Sequence, residues 1–306
     1  MADNLKFSRV IYDPGTLHAE WVATIPPHFT GFRVTLRAAG SAPRNFQTQV
    51  PNITIHQSLE PAVGHTLTIT VMAGGRPTAQ TATVDLITAA PVMTLVDNSG
   101  ADVRYDWTAA PGPVQGYIAI LTQTGGGEWT VRTDAATLTA TFDRHLSSTA
   151  AYTSMVRATN AGGVVLGPSS DVLVPLTTTP TDPTVAAMGT QMIVGWITEV
   201  NPEVTSYVAD LLANGASVGT RQAQGPPAIY EPALVAGTIY TATVRSAGAK
   251  VLGPWVPHVA GPYTASAVLA YDAFGRVETI TWSSSGSIAY DYEETAAVTS
   301  ARTVGA

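Results

Sequence analysis

The stretch YTSMVRATN, Tyr152 to Asn160, decides how this chain folds, because close versions of it occur twice more. YTATVRSAG begins at Tyr240 and HTLTITVMA at His65, and the three align without gaps. Each alternates apolar and polar residues, the period of a strand with one face in a core and the other toward water. Working outward, a leucine lies six residues before each stretch (Leu59, Leu146, Leu234) and a tryptophan 44 or 45 residues before (Trp21, Trp107, Trp196). Ten or eleven residues after each tryptophan an aromatic opens a second alternating run: Phe32-Val34-Leu36, Tyr117-Ala119-Leu121 and Tyr207-Ala209-Leu211. The second and third copies also share Leu-Gly-Pro, at 166–168 and 252–254. Landmarks that hold their register this way define a repeat of 86 to 89 residues.

Between the landmarks, short alternating runs are separated by Gly, Pro, Asn and Ser clusters, which predicts about seven strands per repeat arranged as a sandwich. In the middle repeat the strands are expected near 92–96, 103–109, 115–123, 128–133, 137–142, 150–159 and 164–174, with Gly125-Gly126-Gly127 supplying positive φ at a hairpin. No segment carries a capped apolar stripe of helical period. The fold class read from the residues is all-β.

The repeats resemble fibronectin type III domains, which pair a second-strand tryptophan with a Leu-x-x-x-x-x-Tyr-x-x-x-Val-x-Ala segment. Leu146, Tyr152, Val156 and Ala158 match that segment, as do Leu234, Tyr240 and Val244 with Ser246 in place of the alanine; His65 holds the tyrosine slot of repeat one. The resemblance implies three tandem immunoglobulin-like sandwiches over 1–89, 90–178 and 179–266, the first divergent. It also implies that Tyr152 and Tyr240 make corner hydrogen bonds to backbone a few residues upstream, a bond that His65 leaves in question. Ala89-Ala90-Pro91 and the stretch TTTPTDPT from Thr177 to Thr184 are the expected junctions, short and proline-restricted, which suits sandwiches stacked end to end as a semi-rigid rod. The remaining segment, 267–306, resembles the YD repeats of Rhs-type proteins through Tyr271-Asp272, Gly275-Arg276-Val277, Ile280-Thr281, Gly286 and Tyr290-Asp291-Tyr292. It spans little more than one such repeat, and VETITWS turning through SSG into SIAYDYE reads as a β-hairpin that must dock on repeat three or on another subunit.

Composition narrows the function. Hydrophobic residues make up 45% and charged ones 12%, the balance of a folded chain. The net charge is −7, and even the most basic repeat, residues 1–89, holds only six basic against five acidic side chains, so no nucleic-acid partner is expected. Cysteine is absent. The start MADNLKFSRVIYDPG lacks an apolar signal core and no run of 18 apolar residues occurs, so neither general secretion nor membrane insertion is expected. The six histidines, His18, His28, His56, His65, His145 and His258, show no metal-ligand spacing, and no nucleophile, phosphate-loop or zinc-protease motif is present. No cofactor, no metal and no catalysis are expected.

Trp21, Trp107 and Trp196 occupy a repeated position and are read as core. Trp129, Trp255 and Trp282 have no counterparts in the other repeats and are the candidates for ligand binding, although packing against a neighbouring domain or the tail is the commoner fate of such rings. Asn52-Ile53-Thr54 is read as a turn rather than a glycosylated site. Fibronectin III-like domains decorate phage tail, fibre and capsid proteins, and the resemblance therefore implies a non-enzymatic structural protein of a virion or extracellular assembly. Its expected partners are other structural subunits, as a homo-oligomer, and a host surface glycan or protein. The alternative is an extracellular bacterial adhesin or spacer that binds carbohydrate or protein.

Overall fold

Threonine, valine, isoleucine and tyrosine fill a pleated surface well, and where they alternate with polar residues only one face needs a core. The computed structural model describes residues 5–61, 63–188, 191–232, 238–256, 267–271, 277–282, 286–292 and 298–304, the last four segments as backbone. Contacts divide the chain into two compact units, Met1–Pro175 and Leu176–Ala306.

The first unit contains β1 (Lys6–Asp13), β2 (Thr16–Val22), β3 (Phe29–Ala38), β4 (Arg44–Thr48), β5 (Asn52–His56), β6 (His65–Ala73), β7 (Arg76–Leu86), β8 (Val92–Asn98), β9 (Val103–Thr108), β10 (Gly116–Gln123), β11 (Glu128–Asp134), β12 (Thr139–Phe142), β13 (Tyr152–Asn160) and β14 (Val165–Ser169). A single 3-10 turn, Ala161–Gly163, is the only helical element among the described residues. The strands of the middle repeat fall where the sequence places them to within a few residues, apart from the last, which stops at Ser169. At the β10–β11 hairpin Gly125 alone of the three glycines takes positive φ, at 71°.

In the first sandwich the sheet β4-β3-β6-β7 packs on β1-β2-β5, and Val10, Leu17, Ala19, Val34, Leu67, Ile69 and Val71 between them are fully buried. In the second, β11-β10-β13-β14 packs on β12-β9-β8, and Tyr105 from one sheet donates its hydroxyl to Ser154 Oγ of the other at 2.6 Å. The repeated tryptophans each pack against the aromatic that follows: ring centroids lie 5.2 Å apart for Trp21–Phe32, 5.6 Å for Trp107–Tyr117 and 5.4 Å for Trp196–Tyr207. All three indole N–H groups are buried without a hydrogen-bond partner among the described residues. The rings are therefore held by area and shape, at the expense of an unmet donor.

These two sandwiches do not lie end to end. β1 of the first pairs in parallel with β14 of the second, so that one continuous sheet runs β11-β10-β13-β14-β1-β2-β5. The expectation of a rod of stacked sandwiches is thus replaced, within this unit, by two sandwiches joined edge to edge.

The second unit contains β15 (Thr181–Met188), β16 (Gln191–Ile197), β17 (Ser206–Ala213), β18 (Ala216–Ala223), β19 (Ala228–Tyr230), β20 (Tyr240–Ala247), β21 (Val251–Leu252), β22 (Ala267–Tyr271), β23 (Val277–Trp282), β24 (Gly286–Tyr292) and β25 (Val298–Val304). Sheet β15-β16-β19 packs on β21-β20-β17-β18 around Met192, Val194, Ala209, Leu211, Ala242 and Val244. The hairpin expected in the tail is present as β23–β24, with Ile280 opposite Ile288. It is not isolated, however: β22 and β25 flank it in a four-stranded meander. Four strands give such a sheet more support than a lone hairpin has.

The opening strand of each sandwich carries the same irregularity. A register shift falls between Phe7 and Arg9, between Met93 and Leu95, and between Thr181 and Thr184. The first buried valine after it, Val10, Val96 or Val185, lies eleven residues before the tryptophan. A bulge of this kind re-aims the strand at the sheet edge.

Candidate functional site

Two of the tryptophans proposed for ligand binding, Trp129 and Trp255, each contact an arginine of the same sandwich. Trp129, half-buried on β11 opposite Leu121, has the Arg144 guanidinium 4.3 Å from its ring centroid. Trp255, also half-buried, has Arg245 at 4.3 Å. A guanidinium over an indole face is a favourable cation–π contact. Each ring is faced by an arginine of its own sandwich. The strand β23 ends at Trp282, whose side chain lies outside the described residues.

A set of specific contacts joins the two sandwiches of the first unit at the β1–β14 junction. Val10 N–H donates to Val164 O at 2.8 Å, and Val10 and Ile11 face Val165 and Leu166. Val165 is buried in the core cluster of the first sandwich although it belongs to a strand of the second. Arg157 donates to Gly167 O at 3.1 Å and pairs with Asp13 Oδ1 at 2.9 Å. Its side chain is 18% exposed and that of Asp13 50%, so the pair is partly screened and contributes on the order of 1 kcal/mol or less. Asn160 Nδ2 donates to Asp85 O at 3.3 Å.

Ile87, fully buried in the connection after β7, sits directly over Gly167. A Cβ on Gly167 would lie 2.7 Å from Ile87 Cγ2, closer than side chains pack. The glycine of the shared Leu-Gly-Pro is therefore required by close approach. Gly253 in the second unit has the same surroundings: its Cβ would lie 3.3 Å from the Cβ of Leu176, the buried first residue of that unit. In both places an apolar connecting residue rests on the glycine of the shared Leu-Gly-Pro.

The corner tyrosines diverge. Tyr152 accepts the Ser147 N–H at 3.2 Å, as its resemblance implies. Tyr240 is buried, while residues 233–237 upstream, Leu234 included, lie outside the described residues. His65 is buried too, but its Nδ1 bonds Val63 O at 2.7 Å and makes no corner with Leu59. That task falls to Tyr12 on β1, whose hydroxyl accepts the Leu59 N–H at 2.8 Å and donates to Leu59 O at 3.4 Å.

The sheet edges differ in a way that bears on binding. By its pairing, Pro77 on β7 stands where Leu166 stands on β14, opposite Met72 and Thr159 respectively, each seven residues after the start of its aligned stretch. Proline has no N–H to give an added strand, and Arg76 beside it is charged. The edge of β7 is closed where that of β14 is open.

Elsewhere the surface offers shallow grooves, one of about 470 Å³ lined by Thr30, Phe32, Gln47, Thr48, Gln49 and Met72 among others. Among the described residues no three His, Asp or Glu gather in a way that could hold a metal ion. Burial pushes the Tyr105 phenol up, and burial together with the Asp210 charge pushes Tyr230 up to about 12. Both are core groups.

No family model matches the chain, and no curated protein matches it. Among solved structures it is similar to the FN1–FN3 domains of chicken CNTN1, at 15% identity and a TM-score of 0.30, over 84% of this chain and 96% of that one. It is also similar to a two-domain segment of chicken tenascin, at 16% identity and a TM-score of 0.25, over 57% and 98%. Both are fibronectin type III segments. Superpositions at those scores add nothing to the fold, which rests on the strands: an all-β chain of tandem sandwiches, each with three strands facing four.

Proposed function

We infer that the chain is a non-enzymatic structural module of a large assembly, of the kind carried on the tail, fibre or capsid of a bacteriophage or phage-like particle. The observation that carries this reading is the parallel β1–β14 junction. A sheet continuous through two sandwiches fixes their mutual orientation, as a spacer in a particle must, whereas flexibly linked binding modules leave it free. The recurring aromatics support the same reading, since Trp21, Trp107, Trp196, Tyr117 and Tyr207 are all spent on cores. In this role the partners are other structural subunits, with a host glycan or protein as a further contact, and the C-terminal meander is the anchor.

Electron microscopy of the native material tests the reading. Density for the chain at symmetric positions on a filament or virion is the expected result; a monodisperse monomer with nothing larger would sink it. Deleting residues 268–306 is expected to abolish incorporation, and unchanged incorporation would transfer the anchor to the first sandwich.

A further inference from the structure

The three opening strands share one design, a bulge followed by a buried valine, and β1 shows what the outer edge of that design does. After its bulge, β1 donates Val10 N–H to the strand that carries Val165-Leu166-Gly167-Pro168 and lies parallel to it. Strand β15 repeats the design through Val185. It is the end strand of β15-β16-β19, and among the described residues its outer edge has no strand partner within the second unit. Past the bulge it reads Thr184-Val185-Ala186-Ala187-Met188, with Thr184 and Ala186 exposed and with no charge and no proline. Unprotected neutral edges of this kind template strand addition, and natural proteins usually blunt them. This chain does blunt such an edge at β7, with Arg76 and Pro77; β15 carries a charge and a proline, Asp182 and Pro183, only before its bulge, and the stretch after it is left bare.

We propose that β15 is a docking edge for an extended strand of the apolar-Leu-Gly-Pro type, supplied in parallel by a fibronectin-like sandwich of another polypeptide in the assembly. In the added pair Val185 takes the place of Val10, and its N–H donates to the carbonyl that precedes the apolar residue. Ala186 faces the leucine as Ile11 faces Leu166. Main-chain hydrogen bonds supply the attraction, and the leucine and glycine set the register. The proposal takes from the assembly reading only the identity of the neighbour; the strand chemistry can be tested without a particle.

The probe is the synthetic peptide GVVLGPSS, the sequence of residues 163–170, added to the full chain at about millimolar concentration, the range in which one short strand binds. Amide hydrogen exchange is read along the backbone. Slowing at Val185–Ala187 by about tenfold, absent with the Leu166→Pro version of the peptide, is expected. The Thr184→Lys/Ala186→Lys chain, with its fold checked by tryptophan fluorescence, is expected to lose that slowing. No slowing with the parent chain overturns the proposal even if the lysine variant misfolds. So does slowing confined to β1, which would mean the peptide merely competes at the existing junction. Concentration-dependent protection of β15 without peptide would make the occupant a second copy and overturn the assignment to a different polypeptide. A failed peptide experiment leaves the assembly reading to stand or fall by microscopy.

Discussion

The first and second sandwiches follow the same plan and solve two local problems differently. In the second, Tyr152 ties its own corner; in the first, His65 stands in that slot and the corner is tied by Tyr12 from the opening strand. In the second, the last strand is open and receives a neighbour; in the first, Pro77 closes the equivalent place. The two are thus donor and acceptor of one parallel strand pair rather than interchangeable copies. Divergence in the repeat marks where the copies take on different work.

The largest expected effect is one on which the two should agree. Trp21→Ala and Trp107→Ala should each cost about 3–5 kcal/mol, the usual range for removing a large core aromatic. The corresponding phenylalanine variants should cost much less than their alanine counterparts, because each indole N–H is buried without a partner among the described residues. Denaturant unfolding measures both, and equal losses from Phe and Ala would show that the donor has an unseen bond. Next comes Gly167→Val, which forces atoms onto Ile87 and should cost about 1–3 kcal/mol by overpacking. It should also split one calorimetric transition of the first unit into two, whereas a single unshifted transition would mean that the junction does not couple the sandwiches.

The corners separate the two sandwiches more finely. Tyr12→Phe leaves the buried Leu59 N–H unmet and should cost about 1–3 kcal/mol in the first sandwich, while Tyr152→Phe should act on the second and cost about 1 kcal/mol. Exchange rates along β2 and β9 would report which sandwich loosens, and a Tyr12→Phe effect on β9 alone would contradict the assignment. The smallest effect is in alkali. Burial raises the Tyr105 and Tyr230 phenols, so the folded state holds them neutral. Their contribution is complete below the unfolded phenol value of about 10 and is lost as pH rises through the folded values. Phenolate absorbance should therefore lag behind that of the unfolded chain until the fold gives way.

Much of this architecture was legible because it is local and periodic. The Trp107 and Tyr117 spacing, the alternation from Tyr152 and the Gly125 turn each follow from a few neighbouring residues. The junction was not, although its signal, Leu-Gly-Pro, stood in plain view. Gly167 acquires its meaning from Ile87 in the preceding repeat, and alternation within one strand says nothing of which edge it will meet. Tyr12 escaped notice for the same reason, since its partner Leu59 lies on the far side of the sandwich sequence. For Trp129, the absence of a counterpart left ligand binding and packing both open, and only the folded path of the chain brings Arg144 over it. The tail hairpin was visible in its SSG turn, but β25 lacked a turn signal strong enough to extend the sheet.

The account rests on the parallel strand pair, and native-state hydrogen exchange at the Val10 amide tests it most directly. Because that N–H is donated across the junction to Val164 O, it should be protected as well as the interior amides of β3 and β6. Exchange of Val10 at the rate of an exposed strand edge, with Val34 and Ile69 still protected, would show that the two sandwiches are not joined through their sheets.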